Sequence, residues 1–307
     1  MNELKIIYRS DSHAAFWVLA EQAGIWEKNH LHVNTSPELG RERALDALRN
    51  GRVDLISGNH HNLYAHRAKN NEDFVHLAQL GNRWTENHII ATDAIRSVQD
   101  LRGKQIAVDS KHSHAGLNVW FFMRQEGLDL DKGDYDLVET HASTEKRWKG
   151  VLGGEFDAAF VDLPHNLRAV REGAREIIVR PIPMIRGVTL TTTMAWVSSH
   201  EDETRRLIRG TVEAVHFFIT QPEKTKKILA ESSTLGLQND QEVSALHDSW
   251  VGFLERKPYP TLEAIANVFD LAVRLKPEIA DFNPLIMWNN HYLRELDDSG
   301  FIDSLYR

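Results

Sequence analysis

Alternation of hydrophobic and polar residues near the start of the chain predicts a β-strand over Leu4–Tyr8, and an apolar helical segment follows over Ala14–Ala23. Short apolar runs and longer amphipathic segments continue to alternate through the first half of the sequence. Glycines such as Gly24 and Gly51 end the predicted helices, because glycine readily adopts the left-handed conformation found at helix C-termini. This order of elements is typical of an α/β protein with a largely parallel sheet.

The remaining elements follow from the same patterns. Further strands are predicted at His32–Thr35, Val53–Ser57, Phe74–Leu80, Gln105–Val108, Tyr135–Glu139, Phe156–Val161 and Ile177–Arg180. Further helices of this half are predicted at Arg41–Asn50, His60–Lys69, His114–Glu126 and Glu145–Leu152, with another starting at Pro164. A predicted strand over Thr191–Val197 is then followed mainly by helices, at about 201–220, 222–231, 240–255, 261–273 and 289–296.

Two structural units are predicted from this order. The chain is expected to cross between them near 89–93 and again near 185–191, which makes the first unit discontinuous. The predicted domains are lobe one, residues 1–91 plus 190–307 with a helical C-terminal part, and lobe two, residues 92–189. A weak similarity between 47–58 and 150–161 supports two lobes built alike, since both read helix end, glycine turn, apolar strand and histidine-bearing loop. Ligands of open α/β sheets bind at the carboxyl ends of the strands, so we expect the ligand cleft between the lobes.

Composition narrows the classes of function. The 307-residue chain carries a formal net charge of −8, which argues against nucleic-acid binding because that requires a basic face. No stretch is long and apolar enough to predict insertion into a membrane. The absence of cysteine removes disulfides, thiolate metal sites and thiol nucleophiles. Met1 leads straight into the first strand without a leader pattern, which predicts a cytoplasmic protein, or a periplasmic one if a leader had been removed.

Candidate functional groups follow the predicted strands of lobe one. Ser12 and His13 precede a helix, whose free N–H groups and partial positive charge suit a carboxylate, sulfonate or phosphate. Asn59, His60 and His61 follow the third predicted strand. Histidine is suited to proton transfer near neutral pH, so His60, His61 and His13 are the candidate catalytic residues. The alternative is a capped helix and a solvent-exposed histidine pair.

Lobe two supplies a similar loop, in which small residues and hydroxyls precede a helix and could hold an anion. The candidate substrate-binding residues of this loop are Ser110, His112, Ser113 and His114. The others are Arg83 and Trp84 before the first crossing, Asp162 and His165 after a lobe-two strand, and Arg186 and Gly187 at the return crossing. An arginine guanidinium can form two parallel hydrogen bonds to a carboxylate, and a tryptophan ring can stack on an aromatic ring. The histidine spacings lack the helical pair of a zinc protease, so neither a metal nor another cofactor is predicted.

Four stretches, 47–58, 97–108, 153–159 and 292–302, together carry a family resemblance that spans most of the chain. The sequence resembles the type II periplasmic-binding-protein fold, in the branch of sulfonate (SsuA-like), nitrate and taurine binders and thiamine-pyrimidine NMT1/THI5-like proteins. The resemblance implies an α/β fold of two lobes, with mixed sheets flanked by helices and a ligand cleft between the lobes. The four stretches identify the fold but not the ligand, because the family shares a scaffold rather than a chemistry.

The same branch includes enzymes, among them desulfinases and decarboxylases. The desulfinase cysteine nucleophile is missing here, while His60 and Arg67 loosely match a histidine–arginine pattern of those enzymes. The histidines of the predicted cleft loops favour a cytosolic lyase, decarboxylase-like, acting on an aromatic or heteroaromatic acid. The alternative is the substrate-binding protein of an ABC-type uptake system for a small anionic solute, which would partner an ABC permease. A ligand sensor is a weaker alternative, and a homodimer is left open.

Overall fold

The computed structural model describes residues 3–9, 11–38, 40–58, 60–85, 88–177 and 179–307. The chain divides into two compact units. The first unit comprises Met1–Arg83 and Pro183–Arg307, and the second unit comprises Trp84–Ile182. Each unit contains a five-stranded sheet flanked by helices. The chain is therefore a mixed α/β protein with two sheets, which confirms the predicted fold class.

The strands among the described residues are β1 (Glu3–Tyr8), β2 (His32–Pro37), β3 (Leu55–Ser57), β4 (Phe74–Trp84), β5 (His88–Ala91), β6 (Gln105–Val108), β7 (Asp136–Glu139), β8 (Ala158–Val161), β9 (Arg175–Ile177) and β10 (Ile182–Thr193). The α-helices are α1 (Ala14–Gln22), α2 (Ile25–Lys28), α3 (Arg41–Arg49), α4 (His60–Asn70), α5 (His114–Gln125), α6 (Thr144–Leu152), α7 (His165–Arg171), α8 (Met194–Ser199), α9 (Glu201–Thr220), α10 (Pro222–Glu231), α11 (Asp240–Phe253), α12 (Leu262–Leu275), α13 (His291–Asp298) and α14 (Phe301–Leu305). No helix in the described ranges combines the length and apolar character needed to cross a membrane.

The sheet of the first unit has the strand order β2-β1-β3-β10-β4. β1 runs parallel to both β2 and β3. In the pairing of β1 with β3, Ile6 lies opposite Leu55. β10 runs antiparallel to β3, with Leu190 opposite Ser57. The carboxyl ends of β1 and β3 therefore meet the first half of β10 at one edge, which we call the first carboxyl edge.

Aromatic packing holds α1 in the first unit. The segment AAFWVLAEQ has apolar residues on most of its circumference, so the helix is buried on more than one side. Phe16 lies edge-on to Trp17, with ring centroids 5.2 Å apart, and stacks on Trp250 at 6.4 Å. Trp26 packs 5.7 Å from Trp17. Burial of each such side chain contributes about 1.5–3 kcal/mol, which fixes the position of the helix start beside the sheet.

The sheet of the second unit has the order β7-β6-β8-β5-β9. β6 is parallel to β7 and β8, whereas β5 is antiparallel to β8 and β9. A small core that includes Trp148, Val151 and Ala159 covers this sheet. Asp109 and Asp162 come directly after β6 and β8, at what we call the second carboxyl edge.

The predicted strand over Thr191–Val197 is wrong in its second half. β10 ends at Thr193, and α8 starts at the next residue. The Thr193 hydroxyl accepts a hydrogen bond from the Trp196 amide at 3.1 Å, and the Asp73 carboxylate accepts one from the Ala195 amide at 3.0 Å. Caps of this kind satisfy the free N–H groups of a helix start. One of the two caps comes from Asp73, which is distant in sequence.

Two further local predictions need correction. The predicted strand Ile177–Arg180 lies earlier, at Arg175–Ile177, where it pairs with β5. The stretches 89–91 and 185–191, predicted as crossings, are parts of the regular strands β5 and β10. Apolar stretches at the ends of a unit can join a sheet as easily as they can leave it, and the pattern alone does not distinguish the two.

Candidate functional site

Arg9, Ser12 and His13 lie where β1 passes into α1 at the first carboxyl edge. The Arg9 amide donates to the Ser57 carbonyl at 3.1 Å, which extends the pairing of β1 and β3 by one residue. A 3-10 turn over Asp11–His13 then leads directly into α1. The local sequence thus changes from strand to helix within a few residues and brings polar side chains to the edge.

Arg186 reaches the same edge from β10. Its side chain is only 7% exposed, and its guanidinium Nη1 donates to the Ser12 hydroxyl at 3.3 Å. The guanidinium carbon lies 5.7 Å from the ring centre of Phe253. Burial lowers the pKa of Arg186 to about 10, so the group stays charged at neutral pH. The edge therefore holds a buried positive charge.

The backbone around Arg186 is fixed by a second network. Gln79 Nε2 donates to the Arg186 carbonyl at 2.6 Å, and the Thr189 hydroxyl donates to Gln79 Oε1 at 2.5 Å. Gly187 has φ +71°, and a Cβ there would lie 2.9 Å from the Phe253 ring. Glycine is required where the backbone approaches a ring this closely with positive φ. Phe253 therefore positions both the Arg186 guanidinium and the part of β10 around Gly187.

Arg9 adds a second positive charge at this edge. Its Nη1 donates to the Glu38 carbonyl at 2.6 Å, while its Nε is buried with no hydrogen-bond partner among the described residues. Burial and the nearby Arg41 charge lower the pKa of Arg9 to about 10. A buried N–H without a partner costs free energy, which an added acceptor would recover.

His13 is oriented by the protein itself. Its Nδ1 lies 3.2 Å from both the carbonyl and the hydroxyl oxygen of Ser57. Gly58, with φ +106°, packs against the ring so closely that a Cβ would lie 2.8 Å from His13 Cε1. The imidazole is buried and held at the edge.

The other two predicted catalytic histidines are on or beside α4. His61 is buried and lines a cavity together with Arg41. Asn59 and the side chain of His60 lie outside the described residues. The geometry therefore gives His13 and His61 separate surroundings, and the histidine roles stay predictions.

The loop after β6 forms hydrogen bonds within itself and to Glu139 at the end of β7. The Ser110 hydroxyl donates to Glu139 Oε1 at 3.0 Å, and the Lys111 amide donates to the same oxygen at 2.8 Å. These two donors hold the pKa of Glu139 below its usual range. The Ser113 hydroxyl donates to Asp109 at 2.7 Å and accepts from the Gly116 amide at 3.0 Å. The predicted anion loop is thus an internally capped helix start.

The histidines and Trp84 of the second unit have different surroundings. His112 is exposed. His114 is half-buried, and its ring centre lies 5.1 Å from that of Trp84. Trp84 is buried and packs edge-on to Phe160 at 6.0 Å, whereas Arg83 of the first unit is exposed. Trp84 is therefore a packing residue of the second unit.

Asp162 and His165 belong to the second carboxyl edge, where the buried Arg147 is the central group. Arg147 Nη1 donates to the Ala142 carbonyl at 2.8 Å. Burial lowers the pKa of Arg147, and the charges of Asp109 and Asp162 act in the opposite direction. The Trp148 indole donates to His165 Nδ1 at 3.4 Å.

Sequence reasoning missed Arg9 and Arg147. The signal for Arg9 was its place one residue after the first strand, where ligand contacts concentrate in α/β sheets. Arg147 lies inside a predicted helix and carried no such signal. Within the described ranges, no group of three or more histidine, aspartate or glutamate side chains converges as a metal site.

Comparisons with known proteins agree with this architecture. The sequence model of the family described as "NMT1/THI5 like" matches residues 11–225. The periplasmic aliphatic sulphonate binding protein SsuA from Escherichia coli is similar in structure, with TM-score 0.71 and 19% identity over 95% of this chain and 99% of that one. The alkanesulfonate-binding SsuA from Xanthomonas axonopodis pv. citri, bound to MOPS, gives TM-score 0.63 and 18% identity over 95% and 96%.

A third similar structure is the periplasmic nitrate-binding protein NrtA from Synechocystis PCC 6803, with TM-score 0.69 and 11% identity over 97% of this chain and 88% of that one. A search of the curated proteins found no match. At these identities the structural likeness establishes the fold, and it confirms the resemblance stated from the sequence.

The prediction of a cytosolic, decarboxylase-like lyase is wrong. The neighbours are sulfonate- and nitrate-binding proteins, which correspond to the alternative of a solute binder. Two of them are periplasmic, which does not support the cytoplasmic prediction. The enzyme reading depended on the number of histidines near strand ends. His13 and His165 instead contact backbone and tryptophan groups of their own units.

Proposed function

Because this chain belongs to the NMT1/THI5-like family, we propose that it is the substrate-binding component of an ABC-type uptake system for a small organic anion. The observation that carries the proposal is the buried guanidinium of Arg186 at the first carboxyl edge. A buried charge in an α/β protein, placed where ligands of such sheets bind, indicates a ligand of opposite sign.

The energetics favour an anion at this edge. An anion about 4 Å from a guanidinium gains about 4 kcal/mol at an effective dielectric of about 20. A hydrogen bond to a charged group contributes about 1.5–3 kcal/mol, and the Nε of Arg9, which has no hydrogen-bond partner among the described residues, offers such a donor. The Ser12 hydroxyl is a further polar group beside Arg186. Together these groups suit a sulfonate, carboxylate or similar head group.

Binding an anion for uptake requires no catalytic step. The fixed positions of Arg186 and His13 give a preorganised site, which lowers the entropic cost of binding. The positions of Arg186 and Arg9 support the holding of an anion, and a binder for uptake requires only that step. For that role the protein would work outside the cytoplasmic membrane and deliver its ligand to a permease.

The test is binding of a panel of methanesulfonate, taurine, nitrate and benzoate, followed by calorimetry and by product analysis after incubation. We expect at least one of these anions to bind without conversion. Arg186→Gln should weaken that binding about 30-fold or more, because it removes a charge-assisted contact. Arg256→Gln is the matched control, since Arg256 is an exposed arginine over the Tyr306 ring.

Turnover of any bound anion would contradict the proposal. So would equal affinities of the Arg186→Gln and Arg256→Gln variants. Arg186→Lys separates charge from geometry, because lysine keeps the charge and loses the planar fork. We expect it to bind with an affinity between those of the wild type and Arg186→Gln.

A further inference from the structure

A cavity of about 340 Å³ lies in the first unit along α4. Its walls come from the start of α3, one face of α4 and the end of α12. The α4 residues on this wall repeat at helical spacing, so one face of the helix is turned toward the cavity. The volume is within the range of small-molecule sites, about 300–1,000 Å³.

The charge of the cavity wall is opposite to that of the whole protein. Three cationic side chains, Arg41, Lys69 and Lys276, line it against one carboxylate, Glu42. The chain as a whole carries a formal net charge of −8. Lys69 forms an ion pair with Glu278, whereas Lys276 is exposed and forms no ion pair with another of the described residues. A positive surface of this kind attracts small anions to the cavity.

Hydrogen-bond donors accompany these charges. His61 and His66 line the wall beside the side-chain amides of Asn62 and Asn70. His66 is held in place by Arg49, whose Nη2 lies 3.1 Å from the His66 Nδ1. Imidazole and amide N–H groups donate to carboxylate or phosphate oxygens.

The remaining wall is apolar. Ala65, Ala272 and Leu275 contribute methyl and methylene groups on the side of α4 and α12. Small side chains at the first two positions leave the space that the cavity occupies. Apolar lining with a few converging polar groups is the usual composition of a site for a small organic ligand.

We propose that this cavity is a second ligand site, which binds a small organic anion with an acidic head group and a short apolar or aromatic body. The head group lies toward Arg41, Lys69 and Lys276, and the body lies against Ala65, Ala272 and Leu275. Arg186 does not line this cavity, although Arg41 of its wall also lowers the pKa of Arg9 at the first carboxyl edge. The site takes no part in the uptake function proposed above.

The test uses phenyl phosphate as the probe, with the full-length protein and the imidazole C–H signals of His61 and His66 followed by NMR. We expect saturable shifts of both signals below about 10 mM, a weak but measurable affinity. Phenol, which lacks the charge, should cause no saturable shift. Ala65→Leu fills the cavity and should abolish the shifts, and its circular dichroism checks that it folds.

Two charge variants supply the matched comparison. Lys276→Glu reverses a charge on the cavity wall, and Lys224→Glu makes the same change at an exposed position of α10 away from it. We expect Lys276→Glu to weaken phenyl phosphate binding about fivefold and Lys224→Glu to leave it within about twofold. Equal weakening by both, or no saturable shift for the wild type, would overturn the proposal.

Arg186→Gln distinguishes this site from the one proposed for uptake. If the cavity is a separate site, that variant loses affinity for the uptake ligand and keeps the phenyl phosphate shifts of His61 and His66. Loss of both kinds of binding in Arg186→Gln would overturn the second site. Loss of the phenyl phosphate shifts in Lys276→Glu alone leaves the uptake proposal intact.

Discussion

The two carboxyl edges are alike in topology and different in how they use arginine. At the first edge, Arg186 contacts a hydroxyl and an aromatic ring, and Arg9 donates to a carbonyl. At the second edge, Arg147 is buried under the influence of two aspartates, Asp109 and Asp162. The first edge thus brings together two arginines, with Glu38 and Glu42 acting on Arg9, whereas the second edge has one arginine and two aspartates.

The difference shows that a strand–loop–helix unit does not define a ligand site by its shape. Helix starts at both edges offer N–H groups, but the start of α5 is already capped by Ser113. What distinguishes the first edge is that two arginines, Arg9 and Arg186, meet there, and that burial lowers the pKa of both. By this criterion the first edge is the better candidate for the ligand.

The largest effect on the free energy of unfolding is expected at Arg147. Arg147→Gln removes a buried guanidinium that donates to the Ala142 carbonyl and the Thr144 hydroxyl, and we expect a loss of about 3 kcal/mol in the free energy of unfolding. Urea denaturation measures this loss. Arg186→Gln is the matched variant, and we expect a change below about 1 kcal/mol because it removes a buried charge whose desolvation opposes folding. Equal losses in both variants would show that the two edges are built alike.

A smaller effect is expected at Gly58. Gly58→Ala forces a Cβ into the His13 ring and strains a backbone with φ +106°, so we expect a loss of about 2 kcal/mol. In a His13→Ala background the contact with the ring is removed, whereas the backbone strain and a 3.2 Å contact of the added Cβ with the Arg9 Cβ remain, so the loss should fall to about half. Gly51→Ala is the control, since φ is +62° there and nothing lies within 4 Å of the added Cβ. The same loss in both backgrounds would mean that His13 is not packed against Gly58.

The smallest effect concerns acid stability at the second edge. The Lys111 amide and the Ser110 hydroxyl lower the pKa of Glu139 from its ordinary value of 4.5. A lowered folded-state pKa contributes stability that is complete above 4.5 and is lost as the pH falls toward the folded-state value. Glu139→Gln should therefore flatten the decline of stability below pH 4.5, as measured by urea midpoints at a series of pH values. An unchanged slope would contradict the assigned hydrogen bonds.

Hydrophobic periodicity predicted the regular elements well. β6 lies at the predicted Gln105–Val108, and α9 spans the predicted 201–220. The resemblance to a known family supplied the fold class, because four short stretches were enough to identify the scaffold. These features depend on local sequence, which is why they could be predicted.

The site was harder to predict because its chemistry depends on burial and on distant partners. Arg186 is a functional candidate because it is buried beside Ser12, 174 positions away along the chain. Histidine abundance misled the functional prediction, since His76 is fully buried against Thr191 and its pKa is lowered to about 3 by burial. A histidine of that kind stays neutral and serves packing.

The placement of β10 in the middle of the first sheet sets an order of events during synthesis. β1, β2 and β3 leave the ribosome early. In the sheet order β2-β1-β3-β10-β4, however, β4 is joined to the other strands only through β10, which is synthesised later. The whole second unit, Trp84–Ile182, is translated in between and can fold first as a separate body. The nascent first unit therefore waits with an open strand edge on β3, exposed to mispairing and to chaperones. Arg186 arrives on the strand that closes this gap, so the chain acquires this buried charge and a complete sheet in the same step.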